Sequence, residues 1–457
     1  MYLTRQIPIK KGHALYPYFK TYCVLSNNLY NTTCFYLRQY ASSRKSLEAY
    51  QPLFEKQMEL YTLVNEVTKD TKFFPAQNSW LTYGQLDYIF KKTNNVDYRN
   101  LPAQVNQQTM KLVLRDFKSY FETIKNYQKN PQDYQGRPKM PHYKKKGGMA
   151  TTIFTNQVCE IKETKYLKFP KTKTLVNIGK CGEVGILKEV RIIPTFLGFT
   201  LEVVMEQRFP QEVEPIKNEA LLKRYKELKE CGERTLAIDT GLSNLCAVVN
   251  NFGQQPFLIK GTILKSINQN YNKKMSYDRS MAKTLHGLDD TKRMHRFTQK
   301  RNHQVKDYLH KTSHYLVNYA IKHKVRLVIV GHNKNQKQNS NLGTQTNQNF
   351  VQIPTYILIH QLRYKLNKVG IQLVETEESY TSKASFLDYD TLPTWNTKNK
   401  EYMFSGKRVK RGLYRTKENF LVNADINGAA NILRKVFPKV TRWDRGIVAV
   451  PVVVKVV

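Results

Sequence analysis

The stretch TLAIDTGLSNLCAVVN, residues 235–250, carries an acidic residue directly after an apolar run. Its aliphatic and β-branched residues predict strand structure, and the Thr-Gly pair after Asp239 predicts a turn at the end of the apolar run. Asp239 is therefore expected to present its carboxylate at the edge of a sheet. The carboxyl ends of strands are where α/β sheets usually bind ligands. The first hypothesis is an α/β fold with an acidic site.

Helices and strands alternate after this stretch. We predict a long basic helix over 296–323, a strand over 325–333, a helix over 356–370 and a strand over 371–378. This order is typical of a mixed α/β sheet. The apolar part of the strand VRLVIVGHN ends at Gly331. A glycine at the end of such a strand raises the question of whether the chain can be an active enzyme.

The first half of the chain changes from helical to β patterning. Apolar residues at helical spacing predict helices over 25–40 and 101–124, the second with Pro102 in its first turn. Short alternating strands follow between 150 and 207, and then a helix over 218–231. The expected fold class is α/β plus α in a multidomain chain.

The chain is strongly basic. Of its 457 residues, 74 are Lys or Arg and 36 are Asp or Glu, so the formal net charge is +38. A field of this sign attracts polyanions and releases their counterions. The 29 tyrosines are interleaved with basic residues, which suits stacking on bases beside phosphate contacts. Nucleic acid is the first partner to consider, and a ribosomal or chromatin protein is the simpler alternative.

The segment GRPKMPHYKKKGG, residues 136–148, has the prolines and glycines of a loop together with five Lys or Arg. No Asp or Glu occurs from Gln135 to Cys159. We expect this loop to contact phosphates, and a solvated linker is the alternative. The candidate contact residues are Lys144, Lys145 and Lys146.

The six cysteines form no CxxC pair, which favours free thiols in a reducing compartment over a zinc site or disulfides. The charged N-terminal segment is not typical of a signal peptide, and the chain has no apolar run of membrane length. We expect a cytoplasmic protein of a bacterial or archaeal cell, associated with the nucleoid when bound to DNA, and no membrane partner. The oligomeric state cannot be predicted.

A second aspartate complements Asp239. Asp425 opens the segment NADINGAANILRK, residues 423–435, whose apolar residues have helical spacing. Two aspartates from a strand end and a helix start are suitable ligands for Mg²⁺, which prefers oxygen. Taken singly, a turn residue and a helix N-terminal charge are the simpler interpretations.

Several stretches together resemble the split RuvC nuclease domain of TnpB-type proteins encoded by insertion sequences, which are related to type V CRISPR effectors. The main ones are IDTGLSNLCAVV, GTILKSINQNYNKK and NADINGAANILRK. LPAQ, RPKMPHYKKK, NQNFVQIPTYILIHQLRYKLNKVGI and EESYTSKASF match as well. The resemblance runs from residue 1 to about 445.

The resemblance implies an RNA-guided DNA endonuclease with an RNase H-like (RuvC) nuclease domain, a helical recognition lobe and a small β-barrel-like wedge domain. Such a protein carries a guide RNA from its own element, recognises a short target-adjacent motif and cuts double-stranded DNA with two Mg²⁺ ions. Further basic residues expected at the nucleic-acid backbone are Lys265, Lys273 and Arg411.

The implied domain bounds follow the chain. They are wedge 1–16 and 136–230, recognition 17–135, nuclease 231–383 with its final helix at 425–445, a degenerate zinc-ribbon-like insert at 384–424 and a tail at 446–457. The tail is β-prone, and no function is expected for it.

The family pattern places a glutamate where this chain has Gly331. Some members carry it elsewhere, and the end of the next strand offers Glu377 and Glu378. The strand ending at Gly331 is expected between the other two, with neighbours about 4.8 Å apart, so its glycine leaves room for a side chain to cross. We favour Glu378, because it is nearer the strand end, with Glu377 as the alternative. The expected magnesium ligands and catalytic residues are Asp239, Glu378 and Asp425.

Zinc is not expected. Many relatives carry two CxxC pairs where this chain has SFLD, residues 385–388, and RTKE, residues 415–418. Two rival functions remain open at this point: a nuclease-dead, RNA-guided repressor and a guide-independent RuvC-like nuclease.

Overall fold

The computed structural model describes residues 1–48, 54–69, 81–179, 185–212, 216–228, 232–333, 353–394, 402–410, 412–439 and 450–456. They form two compact units, Met1–Arg208 and Phe209–Val457. The mixed α/β, multidomain fold class is confirmed. No helix in these ranges has the length and apolarity to cross a membrane.

The first unit has a helical part between its first strand and the rest of its sheet. Its helices are α1 (Tyr16–Glu48), α2 (Glu55–Lys69), α3 (Tyr83–Lys92), α4 (Val96–Arg99) and α5 (Ala103–Lys129). Both predicted helices are confirmed, and α1 is longer than its prediction. Pro102 is the N-cap of α5 and not a first-turn residue. Its ring has no N–H to leave unsatisfied at this helix start.

The strands of the first unit form two open sheets. They are β1 (Tyr2–Lys10), β2 (Thr152–Thr155), β3 (Glu160–Lys162), β4 (Tyr166–Lys168), β5 (Leu175–Asn177), β6 (Ile186–Thr195) and β7 (Gly198–Glu206). One sheet has the order β1-β7-β6-β2 and the other β3-β4-β5. Within the described residues neither sheet closes into a barrel. The first unit therefore contains a small open β structure where a barrel-like wedge domain was expected.

The second unit is built on a six-stranded mixed sheet. Its strands are β8 (Thr235–Thr240), β9 (Asn244–Asn250), β10 (Phe257–Lys260), β11 (Leu327–Gly331), β12 (Gln372–Thr376) and β16 (Val452–Val454), in the order β12-β11-β8-β9-β10-β16. The stretch 235–250 contains the turn that was predicted after Asp239. It is an antiparallel hairpin, β8 and β9, because the chain turns at Gly241, whose N–H donates to the Leu245 carbonyl at 3.3 Å.

Helices cover both faces of this sheet. They are α6 (Asn218–Glu227), α7 (Thr262–His286), α8 (Lys292–Lys322), α9 (Thr355–Lys368) and α10 (Ala424–Val436). Leu236 and Ile238 pack in a core with α8 and α9, whereas Ala237 packs in a core with α6 and α10. Side chains alternate along a strand, so Asp239 lies on the α10 face.

A small sheet precedes α10. It consists of β13 (Lys407–Lys410), β14 (Leu413–Arg415) and β15 (Leu421–Asn423), all antiparallel. The β-prone tail adds β16 as an edge strand parallel to β10.

Candidate nuclease centre

Asp239 ends the apolar part of β8 and approaches α10 closely. Its Oδ2 lies 2.6 Å from the position that a Cβ would take on Gly428. Only a glycine at this point of α10 admits the carboxylate so near the helix backbone. Burial raises the pKa of Asp239 well above its usual range, and the negative charges of Glu378 and Asp425 raise it further, while Arg408 opposes them.

Asp425 lies in the first turn of α10, as predicted. The side chain of Asn423 caps the helix and accepts hydrogen bonds from the N–H groups of Asp425 and Ile426 at 3.0 and 3.2 Å. Asn244 of β9 donates its Nδ2 to Asp425 Oδ2 at 2.6 Å. The Arg408 guanidinium is 3.9 Å from the other oxygen, Oδ1. Asp425 is thus held by the cap and by the neighbouring strand.

Glu378 reaches over Gly331. The sheet order places β11 between β8 and β12, as the sequence predicted, and Gly331 lies beside Thr376 in the register. A Cβ on Gly331 would lie 2.8 Å from Glu378 Cγ and 2.4 Å from Ile432 Cδ1. Any larger residue there would have to displace one of them. The glycine therefore leaves space that the Glu378 side chain and α10 fill.

The backbone of Glu378 is fixed on both sides. Its N–H donates to Asn333 Oδ1 at 2.9 Å, and its carbonyl accepts from Thr381 Oγ1 at 2.8 Å. Asn333 follows β11, so the strand that lacks the acidic side chain still orients the residue that carries it.

Glu377 has a different set of contacts. It forms an ion pair with Lys435 of α10, whose side chain is only 5% exposed, and accepts a hydrogen bond from Ser379 Oγ. Burial lowers the pKa of Lys435, and Glu377 counteracts this. Glu377 thus links the end of β12 to α10.

Glu375 lies on the α9 face of β12 and not on the α10 face. One carboxylate oxygen is 2.9 Å from His332 Nδ1, and the other accepts from Arg363 of α9. This contact engages the His332 ring with the Glu375 carboxylate. Both residues join β11, β12 and α9 structurally.

A groove of about 980 Å³ opens beside Asp425 and Arg408. It runs along the β8–β9 turn to the start of α7, and Ser243, Lys260 and Thr262 contribute to its wall. Lys265 of α7 donates its Nζ to Ser243 Oγ at 2.9 Å, so this predicted basic residue lies beside the groove.

The other basic residues predicted to bind nucleic acid lie elsewhere. Lys273 is exposed on α7 of the second unit. The side chains of Lys144, Lys145 and Lys146 are exposed in the first unit. Arg411 lies outside the described residues.

The sequence analysis missed four residues of this centre: Asn244, Asn333, Arg408 and Gly428. Asn244, Asn333 and Gly428 stand in stretches that carry the motifs, but a hydrogen-bond partner or a close approach across the sheet leaves no periodic signal. Arg408 lies on the small sheet, in a segment without a recognisable pattern.

The donor chemistry of the three acids fits a hard divalent cation, because burial and then the charges of Glu378 and Asp425 raise the pKa of Asp239, and a cation would offset both effects. The spacing in the described residues is wider than that of a closed site, since no three His, Cys, Asp or Glu side chains there are grouped closely enough to hold a metal. Asp239, Glu378 and Asp425 lie at one edge of the sheet, but their side chains do not form a compact metal site.

Comparisons with known proteins agree with the sequence motifs. A family model described as a probable transposase, OrfB_IS605, matches residues 209–337, and the model of the Cas12f1-like TNB domain matches residues 356–432. No curated protein matches the chain. The first matched segment contains IDTGLSNLCAVV and GTILKSINQNYNKK, and the second contains EESYTSKASF and most of NADINGAANILRK. The two matches confirm the resemblance.

Solved structures with similarity to the chain come from large RNA and DNA complexes. The Cas12f1–sgRNA–target DNA complex is 14% identical, with 94% of this chain and 98% of that chain covered and a TM-score of 0.31. A CRISPR-Cas12f ternary complex has 13% identity, coverage of 93% and 82%, and a TM-score of 0.32. An AacC2c1–sgRNA binary complex has 10% identity, coverage of 94% and 74%, and a TM-score of 0.34.

Proposed function

We propose that this chain, which resembles the TnpB-type proteins of insertion sequences, is an RNA-guided DNA endonuclease that hydrolyses phosphodiesters next to a short target-adjacent motif. The proposal is supported by the position of Asp239, Glu378 and Asp425 at one edge of the mixed sheet, where burial raises the pKa of Asp239 and the charges of the other two acids raise it further. Three repelling carboxylates are costly for stability and are typical of functional sites.

In this proposal the second unit holds an RNase H-like nuclease domain. Its sheet has three adjacent parallel strands, β12, β11 and β8, followed by β9, which pairs antiparallel with both β8 and β10. Asp239 lies near the end of β8, Glu378 follows β12, and Asp425 lies in the first turn of α10. Glu378 takes the part of the glutamate that the family pattern places at Gly331, since its side chain lies over that glycine.

Asp239, Glu378 and Asp425 would hold magnesium. When bound, two Mg²⁺ ions supply an activated water and charge stabilisation for the leaving oxygen. Asn244 keeps Asp425 Oδ2 oriented, and Asn333 fixes the backbone of Glu378. Arg408, beside Asp425 and in the groove wall, is placed to hold a phosphate oxygen of the substrate strand.

The guide RNA and the double-stranded DNA target would be held by the basic surface of both units. The net charge of +38 favours this partner class. Lys144, Lys145 and Lys146 in the first unit, and Lys265 and Lys273 in the second, are the proposed backbone contacts.

The test compares two adjacent glutamates. The protein is co-expressed with the DNA downstream of its gene and challenged with a plasmid library that carries the target next to random sequence. Wild type should cut, Glu378→Gln should abolish cutting, and Glu377→Gln should cut. Melting curves of both variants control for folding, because Glu377 pairs with the buried Lys435.

Three results would contradict parts of the proposal. If Glu377→Gln is inactive although it is folded and Glu378→Gln is active, the roles of the two residues are reversed. If wild type binds guide and target without cutting, the chain is a guided binder of the repressor type. If cutting persists without RNA, the chain is a guide-independent nuclease.

A further inference from the structure

The basic loop, residues 136–148, is fastened along one face of α1. Arg38 donates its Nη1 to the Pro141 carbonyl at 2.7 Å. Asn31 makes two bonds to Lys144: its Nδ2 donates to the carbonyl at 3.0 Å, and its Oδ1 accepts from the N–H at 2.8 Å. Asn27 donates to the Lys145 carbonyl at 3.0 Å.

These anchors follow the period of the helix. Positions 27, 31 and 38 of α1 lie on one face because they are separated by four and seven residues. The loop passes them in the opposite direction, with Pro141 at residue 38 and Lys145 at residue 27. Its backbone polar groups are therefore bonded to helix side chains, and its conformation is set before any ligand binds.

The side chains of the same loop carry positive charge without acidic partners. Tyr143, Lys144, Lys145 and Lys146 are exposed, and in the described residues none of the three lysines forms an ion pair. Lys144 Nζ lies 4.4 Å from the centroid of the Tyr30 ring, a cation–π contact that draws this side chain toward α1. Lys145 and Lys146 are left as the outward cations beside the exposed Tyr143 ring.

A fixed row of like charges is unfavourable in the free protein. Neighbouring ammonium groups repel one another, and a flexible loop would let them separate. When a polyanion with regularly spaced charges binds, the clustered ammonium groups become favourable because each can pair with a phosphate. A preorganised loop also loses little conformational entropy on binding. The exposed Tyr143 ring is suited to an unpaired base.

We infer that the basic loop is a preorganised edge for a nucleic-acid backbone, with Lys145 and Lys146 as phosphate contacts and Asn31 as the residue that positions them. The inference rests on the proposed function for its ligand, a phosphodiester strand. That strand has two sources, the guide RNA and the target DNA. Asn31 touches no phosphate in this scheme and acts only through the loop.

The experiment uses the full-length chain and four forms: wild type, Asn31→Ala, Asn28→Ala and the double variant Lys145→Gln/Lys146→Gln. Asn28 is the matched control, because it lies in the same turn of α1 and the described structure gives it no hydrogen bond to the loop. Affinities for the guide RNA, and separately for target duplex DNA, are measured over a range of salt concentrations.

Asn31→Ala should weaken binding of one or both nucleic acids about three- to tenfold, because the loop must then be ordered on binding. Asn28→Ala should bind as wild type does. The double lysine variant should also reduce the slope of log affinity against log salt by about one to two. The nucleic acid that shows these changes is the source of the strand.

A second readout does not depend on nucleic acid. Trypsin should cut after Lys144, Lys145 or Lys146 faster in Asn31→Ala than in wild type or Asn28→Ala, because the loop is released. If Asn31→Ala equals Asn28→Ala in both proteolysis and binding, the inference is wrong. If the double lysine variant keeps wild-type affinity and slope for both nucleic acids, the contact assignment is wrong, whatever the stability of Asn31→Ala.

Failure of the proposed function has a different signature. If the chain binds duplex DNA through this loop but binds no guide RNA and does not cut, the inference about the loop holds and the proposed RNA-guided activity is wrong. If the chain cuts as proposed but Asn31→Ala changes neither binding nor proteolysis, the proposed activity holds and the inference about the loop is wrong.

Discussion

Gly331 provides the space that the proposed relocation of the catalytic glutamate to Glu378 requires. A Cβ at this position would lie only 2.4 Å from Ile432 Cδ1 and 2.8 Å from Glu378 Cγ. The side chains are flexible at their ends, so a substitution displaces them without unfolding the sheet. The position is therefore expected to affect activity more than stability.

Gly331→Ala should lower stability by about 1–3 kcal/mol, as overpacked cores do, and should strongly reduce cleavage because Glu378 is pushed aside. The variant Gly331→Ala/Ile432→Val provides the control, since it relieves the contact with Ile432 only. Urea melts and cleavage rates are compared. Recovery of both stability and activity in the double variant would show that Glu378 was not displaced.

Asp239 has a raised pKa in the folded chain, so its ionisation opposes folding. Its contribution to stability is fully present below the unfolded pKa of about 3.9 and is lost as the pH rises through the folded pKa. In chelator at neutral pH, Asp239→Asn should therefore be more stable than wild type, and the difference should shrink toward pH 4. Urea melts at several pH values measure this. A difference that is constant with pH would contradict it.

At the scale of the elements, much of the second unit could be predicted from its sequence. Buried strands and long helices have strong periodic patterns, and the sheet order around Gly331 was expected from the RNase H-like sheet that the family resemblance implies. The turn after Asp239 was predicted from the Thr-Gly pair, but the antiparallel pairing of β8 with β9 was not, because the residues on both sides of the turn are equally apolar. Contacts such as Asn244 to Asp425 join residues far apart in the chain, and no local pattern records them.

The small sheet and its connecting segments show hydrogen bonds where relatives are expected to have cysteines. Lys417 donates its N–H to Asp388 Oδ2 at 2.9 Å, which joins the RTKE and SFLD stretches directly. Ser405 Oγ donates to Asp388 at 3.1 Å and to Asp390 at 2.6 Å, and the Ser385 N–H donates to Asp390 at 2.7 Å. The carboxylates of Asp388 and Asp390 thus connect the segments that a zinc ion would connect in relatives with the cysteine pairs.

Asp388→Ala should lower the free energy of unfolding by about 1–2 kcal/mol, because hydrogen bonds to a charged acceptor are lost. A zinc chelator should leave the melting temperature of wild type unchanged. Glu418→Ala, an exposed substitution in the same RTKE stretch, is the control and should have little effect. Zinc near one equivalent by elemental analysis of the purified protein would contradict the zinc-free expectation.

For the whole molecule, charge determines how tightly and how fast a polyanion binds. If six to ten phosphates are neutralised, affinity for the guide RNA should fall by about 10³- to 10⁵-fold between 50 and 200 mM salt. Binding assays across this range test it, with melting temperature at the same salts as the control for folding. An affinity that is independent of salt would show that the charge of +38 has no part in binding.

The order in which the three acids leave the ribosome follows from their places in the chain. Asp239 is made first, Glu378 later, and Asp425 opens the last described helix. At about 5–20 residues per second, the chain between Asp239 and Asp425 takes roughly 10–40 s to synthesise. The unit that carries the basic loop is complete before any of the acids is made. A nascent or prematurely terminated chain can therefore complete the unit that carries the basic loop before it contains any of the three acids proposed to cut DNA.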